Sequence, residues 1–196
     1  MVYPNLIFLV ITEFHTNIFS SISGEVNSAS VEASGVGIDL LLLVIYVLSA
    51  LCISFLCSIA EAVLLSVTPP YIEQIKEKKS KQAALLEKLK YKKVDQSLAA
   101  ILSLNTIAHT VGAIGAGAKA TVVFGSAWFG LFSAVMTLMI LFLSEIIPKT
   151  IGAIYWPKLA GLTSYFVYFL IILLYPIVWI SELLTRLIAR GKNIHL

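Results

Sequence analysis

Residues 38–67 read IDLLLLVIYVLSALCISFLCSIAEAVLLSV, and only Asp39 and Glu61 in this run carry charge. At about 1.5 Å per residue, a helix of this length exceeds the ~30 Å hydrocarbon core of a bilayer, so it must tilt or project. Thr68-Pro69-Pro70 closes the run, because proline lacks an amide donor and disfavours helix in the residue before it. The pattern is that of a membrane-spanning helix, and the composition of the whole chain agrees. Of 196 residues, 59% are hydrophobic and 13% charged, with a mean hydropathy of +0.93. A soluble domain is near half apolar and a quarter charged. Disordered chains, small disulfide scaffolds and ordinary cytosolic enzymes are excluded on these grounds. Cys52 and Cys57 lie five apart in one helical run and point in different directions, so no bridge between them is expected.

Three more apolar runs follow. Val94 to about Gly117 is interrupted by Ser97, Ser103, Asn105, Thr106, His109 and Thr110, and closes on Gly112, Gly115 and Gly117. Small residues let helices approach closely in lipid, or let a helix break where its backbone lines a cavity. Phe124 to about Ile147 begins with Trp128 and Phe129, suited to an outer aromatic belt, and ends at Glu145, Pro148 and Lys149. Ile151–Lys158, with Tyr155, Trp156, Pro157 and Lys158, has an interfacial composition, and the last run is Leu159 to about Leu184, which contains Pro176.

Charge sets the orientation. Residues 1–37 are polar, Ser-rich and acidic; their apolar stretch Leu6–Ile11 is too short to span and lacks a basic n-region, a poor signal peptide, and the region reads as a non-cytoplasmic tail. Residues 70–95 hold Lys76, Lys78, Lys79, Lys81, Lys88, Lys90, Lys92 and Lys93. Short basic loops stay cytoplasmic, which accounts for this stretch better than nucleic acid does. Residues 71–93 have helical spacing and predict a short helical hairpin at the cytoplasmic surface. Three crossings from an outside N-terminus put Lys149 and Lys158 inside. A fourth would put Arg186, Arg190 and Lys192 outside, against the charge rule. The favoured expectation is therefore three crossings, with the last run turning near Pro176 and returning as an amphipathic belt along the inner interface. Four crossings are the alternative.

Ionisable groups inside a bilayer are costly and mark function. Here they are Glu61, His109 and Glu145. Ser54, Ser58 and Glu61 share one helical stripe, as do Asn105, His109 and Gly112. The competing account of the serines and asparagine is interhelical bonding, and that of His109 is a satisfied interior histidine. Pro148 cannot donate to the carbonyl of Ser144, four residues earlier, so that carbonyl sits free beside Glu145. A Glu145–Lys149 ion pair is the bland alternative. Hydroxyl, amide, carbonyl and carboxylate oxygens at membrane depth suit Mg²⁺, Ca²⁺ or Na⁺ and disfavour Zn²⁺ or copper. No HExxH, GxSxG or Walker motif is present, and an enzyme is not expected.

Three segments in order, Ser58-Ile-Ala-Glu61-Ala, Leu104-Asn105-Thr106 and Ser144-Glu145-Ile-Ile-Pro148-Lys149, resemble the transmembrane domain of the CNNM/CorC family of magnesium transporters. The resemblance covers about residues 38–190. It implies an all-α integral membrane homodimer, with three transmembrane helices, the cytoplasmic-side hairpin and a juxtamembrane belt helix per subunit. It also implies Na⁺-dependent Mg²⁺ export across the cell membrane, Na⁺ being the coupling ion, with the C-terminus cytoplasmic. By this resemblance Ser58, Asn105 and Glu145 hold Mg²⁺, and Ser54 joins them from one turn before Ser58. Leu104 and Ser144 stand where the family often has glycine. Most members continue into a cytoplasmic CBS-pair domain, and the expectation is that 1–196 lacks it. The alternative function is a Mg²⁺-sensing scaffold or regulator that moves no ion.

Overall fold

The structure, a computed structural model, describes residues 33–189. Expectations for the acidic tail before Ala33, and for Arg190 and Lys192, lie outside the described residues. From Asp39 onward the chain forms one packed unit, and among the described residues its regular structure is entirely helical. Helix α1 is Ala33–Ser66. It begins five residues before the apolar run, because extending a formed helix through small residues costs little. Thr68 is extended (φ −111, ψ 152), as a residue before proline should be, and Pro69 and Pro70 open α2, Pro69–Lys76. Helix α3, Ser80–Glu87, packs against α2 and leads into a π-helical turn, Lys88–Lys92. From that turn Lys90 Nζ reaches back to the Leu65 carbonyl at 2.8 Å. A cation thereby meets one of the last carbonyls of α1, which have no partner within the helix. Partial burial there lowers the Lys90 pKa from its ordinary value.

Helix α4 is Val94–Phe124 and runs unbroken through Gly112, Gly115 and Gly117. It ends at Gly125, whose φ of 82 is the one positive value among the described residues. A 3₁₀ turn, Ser126–Trp128, leads to α5, Phe129–Met139. A π-helical segment, Ile140–Ile146, joins α5 to α6, Ile147–Leu173. The third run therefore does not stop at Ile147. Pro148 falls in the first turn of α6, where a missing N–H is tolerated, and the helix passes through it. Ile151–Lys158 forms a kinked part of α6. Tyr155 leaves helical geometry (φ −100, ψ 15) two residues before Pro157, whose ring and missing donor force the bend. Tyr71 of α2 clasps this kink, with its hydroxyl 2.6 Å from the Pro157 carbonyl and its ring edge-on to Trp156. The chain next breaks at Leu174, and α7 is Tyr175–Ala189, with Pro176 in its first turn.

Among the described residues three helical stretches, Val36–Ser66, Val94–Phe124 and Ser126–Leu173, are long and apolar enough to cross a membrane. Large apolar side chains along them face outward, Leu41, Leu48, Val111, Ile114, Leu131 and Leu138 among them, as a lipid-facing surface requires. The chain is a multi-pass membrane protein of the all-α class.

Helices α1 and α4 run antiparallel in close register. At one end Lys119 Nζ meets Asp39 Oδ1 at 3.1 Å, both side chains largely buried. A Cβ on Gly115 would strike the Tyr46 ring, and one on Gly112 would overlap Ala50 Cβ. The glycines thus set helix spacing within the chain. Gly112→Ala should destabilise by about 1–3 kcal/mol, with Ala50→Gly restoring much of the loss in the double variant. Thermal unfolding of the detergent-solubilised protein checks both. Toward the other end, Val63, Val67, Ile72, Ala83, Leu86 and Ala160 form one buried cluster. Cys57, Leu64, Leu89, Ile101, Val167, Leu170 and Val178 belong to a second. After the kink, α6 and the start of α7 therefore pack on the last turns of α1, the first turns of α4, and α2–α3.

Candidate ion-binding site

Ser54 and Ser58 stand one turn apart on α1, both fully buried. They face the π-helical segment before Pro148. There the Ser144 carbonyl accepts from Ser58 Oγ at 2.7 Å and from Ser54 Oγ at 3.4 Å. The sequence anticipates this free carbonyl, since residue 148 has no amide hydrogen to give it. The Ser144 hydroxyl turns back to the Ile140 carbonyl at 2.7 Å.

From α4, His109 closes the cluster. Its Nε2 lies 2.6 Å from Ser54 Oγ and 3.4 Å from Ser144 Oγ, and its Nδ1 lies 3.8 Å from Glu145 Oε1. Asn105 sits one turn before His109 on the same face. The facing pairs Asp39/Lys119, Tyr46/Gly115, Ala50/Gly112 and Ser54/His109 extend by one more turn to set Asn105 opposite Ser58. Asn105 Oδ1 is buried and has no hydrogen-bond partner. Such an orphaned acceptor costs about 1–3 kcal/mol, so the position favours a ligand that takes up the oxygen.

The two intramembrane carboxylates part company. Glu61 is paired with Lys149 Nζ at 3.1 Å. The bland pairing of Lys149 with Glu145 does not occur: Lys149 reaches α1, whereas Glu145, one turn earlier, faces His109 of α4. Glu145 is left about a third exposed, with an imidazole edge as its ionisable neighbour. A carboxylate at this depth is a functional candidate by default. Gly152, one turn past Lys149, holds α6 against α1; a Cβ there would meet the Ile59 carbonyl oxygen at 2.9 Å and Ala62 Cβ at 2.8 Å.

The structure thus gathers Ser54, Ser58, Ser144, His109 and Glu145 by direct contact, and Asn105 by register. The Ser144 side chain is the member that sequence reasoning misses. His109 is flagged there as an intramembrane ionisable group one turn from Asn105, but the frequency of satisfied interior histidines outweighs those signals and leaves it out of the expected ligand set. Among the described residues no group of three or more His, Cys, Asp or Glu could hold a metal. What converges is hydroxyl, amide and carbonyl oxygen with a single carboxylate, a hard-cation donor set.

The cyclin M transmembrane N-terminal domain matches residues 43–195. The chain belongs to the CNNM family. Among relatives, the UPF0053 protein sll1254 of Synechocystis sp. is 36% identical over 141 residues, covering 72% of this chain and 40% of the relative. A UPF0053 protein of Haemophilus influenzae is 31% identical over 153 residues, 76% of this chain and 35% of the relative. The UPF0053 inner membrane protein YfjD of Escherichia coli is 31% identical over 119 residues, 59% and 27% respectively. The chain therefore spans less than half the length of these curated relatives. All of the site residues gathered above fall within the segment matched by the CNNM domain.

Proposed function

We propose that this CNNM chain moves Mg²⁺ across the membrane, as an exporter driven by Na⁺, and that it is not an enzyme. Ser54, Ser58, Asn105 and Glu145 supply the oxygens that meet the ion. The observation that carries this reading is a buried Asn105 oxygen without a hydrogen-bond partner, on the same helix face as His109, whose ring lies 3.8 Å from the partly exposed Glu145 carboxylate. Mg²⁺ keeps several of its waters, so a few protein oxygens suffice. Ser58 Oγ donates to the Ser144 carbonyl at 2.7 Å, which leaves its lone pairs available to a cation or its waters.

The orientation proposed is N-terminus outside, with the lysines of α2 and α3 and the C-terminus at the cytoplasmic face. Three crossings are supported by the way residues 160–178 pack around one end of α1 and α4, as a belt would. A cysteine at Lys192 should then be shielded from an impermeant thiol reagent added outside; labelling there would restore four crossings. Two copies are proposed to form a two-fold dimer. The Escherichia coli relative is named an inner membrane protein, which fits a cell-membrane location here.

Isothermal titration of the purified protein with Mg²⁺ tests the site. Asn105→Ala and Ser58→Ala each remove one neutral oxygen and should weaken binding by about 5- to 30-fold, equivalent to ~1–2 kcal/mol. Affinity should fall as pH falls, because protons compete for the carboxylate oxygens. A Mg²⁺-sensing scaffold needs the same site without flux, and the two readings separate on transport alone.

A further inference from the structure

We propose that the lysine face of α2, α3 and the π-helical turn after them docks on the headgroups of anionic phospholipids, with Lys88 and Lys158 as its innermost contacts. This inference lies outside the ion site and does not depend on it. Its basis is charge and position. Residues 69–95 hold eight lysines and four acidic residues, Glu73, Glu77, Glu87 and Asp95, a net charge of +4. Two lysines are neutralised locally, Lys76 by Glu73 and Lys92 by Glu87, each at 3.2 Å. Lys78, Lys79 and Lys81 are exposed and make no ion pair among the described residues. Their charge faces outward uncompensated.

Only Val67 and Thr68 separate α1 from α2, so the lysines stand where a span leaves the hydrocarbon, at headgroup level. Helix α6 reaches the same end after its kink and leaves Tyr155, Leu162, Tyr168 and Phe169 exposed. Exposed tyrosine among large apolar side chains is the composition of a membrane–water interface. Lys88 Nζ lies 5.8 Å from the centre of the Tyr168 ring, and Lys158 Nζ lies 6.0 Å from that of Tyr155. Each pair sets an ammonium beside a phenol on the apolar rim. A lipid phosphate diester can use both, the ammonium for charge and the hydroxyl for a hydrogen bond. An acidic protein segment or a nucleic acid would find the outer lysines but has no use for an apolar rim. Lysine clusters directly beside a transmembrane helix draw anionic lipid in this way.

Electron paramagnetic resonance of spin-labelled lipids tests this with the purified full chain in phosphatidylcholine vesicles. It reads how strongly labelled phosphatidylglycerol associates with the protein relative to labelled phosphatidylcholine. The expected ratio is about two- to fivefold in favour of phosphatidylglycerol at low salt. It should fall toward unity in about 1 M NaCl, where the screening length is ~3 Å. Lys88→Gln with Lys158→Gln should remove about half of the excess, and adding Lys78→Gln, Lys79→Gln and Lys81→Gln should remove most of it. A ratio of unity at low salt in the unaltered protein overturns the inference and needs no variant. An excess that survives all five substitutions in a protein of unchanged helical content also overturns it. Binding of polyglutamate with no lipid preference would assign the face to an acidic protein partner instead. Mg²⁺ titration of the same five-lysine variant should be unchanged, so the ion site and the lipid face stand or fall separately.

Discussion

Glu145→Gln should abolish Mg²⁺ binding and any transport that depends on it. The substitution keeps shape and hydrogen-bonding capacity while deleting the charge, so the loss reads the carboxylate itself. The expected effect is large because no second carboxylate is available among the described residues of the site. Glu61 is held by Lys149 at 3.1 Å, and the other donors are neutral. A hydrogen bond or contact to a charged group contributes about 1.5–3 kcal/mol, already about 10- to 150-fold in affinity, and a divalent cation raises that further. Glu61→Gln is the control. It frees Lys149 and is expected to lower stability while leaving a folded protein that still binds Mg²⁺. If titration finds normal binding in Glu145→Gln and none in Glu61→Gln, the ion belongs to the other carboxylate.

Gly152→Val should be the most damaging packing substitution. A Cβ at Gly152 would lie 2.9 Å from the Ile59 carbonyl oxygen, a backbone atom that cannot turn aside, and 2.8 Å from Ala62 Cβ. Valine adds two further methyl groups. The strain must push α6 away from α1, at a cost of at least about 3 kcal/mol, and it does so one turn from Lys149 and two from Glu145. Gly130, in α5, is the opposite case, since a Cβ there would meet nothing within 4 Å. Gly130→Ala should therefore stabilise, by up to about 1 kcal/mol from helix propensity alone. The opposite signs of the two substitutions, read as shifts in the thermal midpoint in mild detergent, separate a packing glycine from a permissive one.

Much of this architecture is legible in the residues. The three spans follow from hydropathy and length. Pro148 announces an acceptor at the Ser144 carbonyl, because a missing amide hydrogen is a fact of covalent structure and survives any tertiary arrangement. The stripes Ser54/Ser58 and Asn105/His109 follow from helical periodicity, and α1 and α4 do present them toward one another. What the sequence does not carry is continuation and partner choice. A proline ends a helix in one context and opens its next turn in another; Pro148 follows a π-helical segment and falls in the first turn of a helix that runs on to Leu173. The same proline rule predicts a turn near Pro176, and the chain breaks two residues earlier, at Leu174. Lys149 could meet either carboxylate by sequence separation, and its choice of Glu61 depends on how α6 lies against α1, which Gly152 sets. His109 reads as an interior histidine from α4 alone, where its neighbours are invisible. The structure gives it Ser54, Ser144 and Glu145 from two other helical segments.

The measurement that bears most directly on the proposed activity is Mg²⁺ flux in liposomes containing the purified protein, under an imposed Na⁺ gradient. Saturable Mg²⁺ movement that requires the Na⁺ gradient and disappears in Glu145→Gln is the predicted result. Saturable Mg²⁺ binding by the same preparation, with no flux in either direction, would contradict transport and leave a Mg²⁺-sensing membrane scaffold in its place.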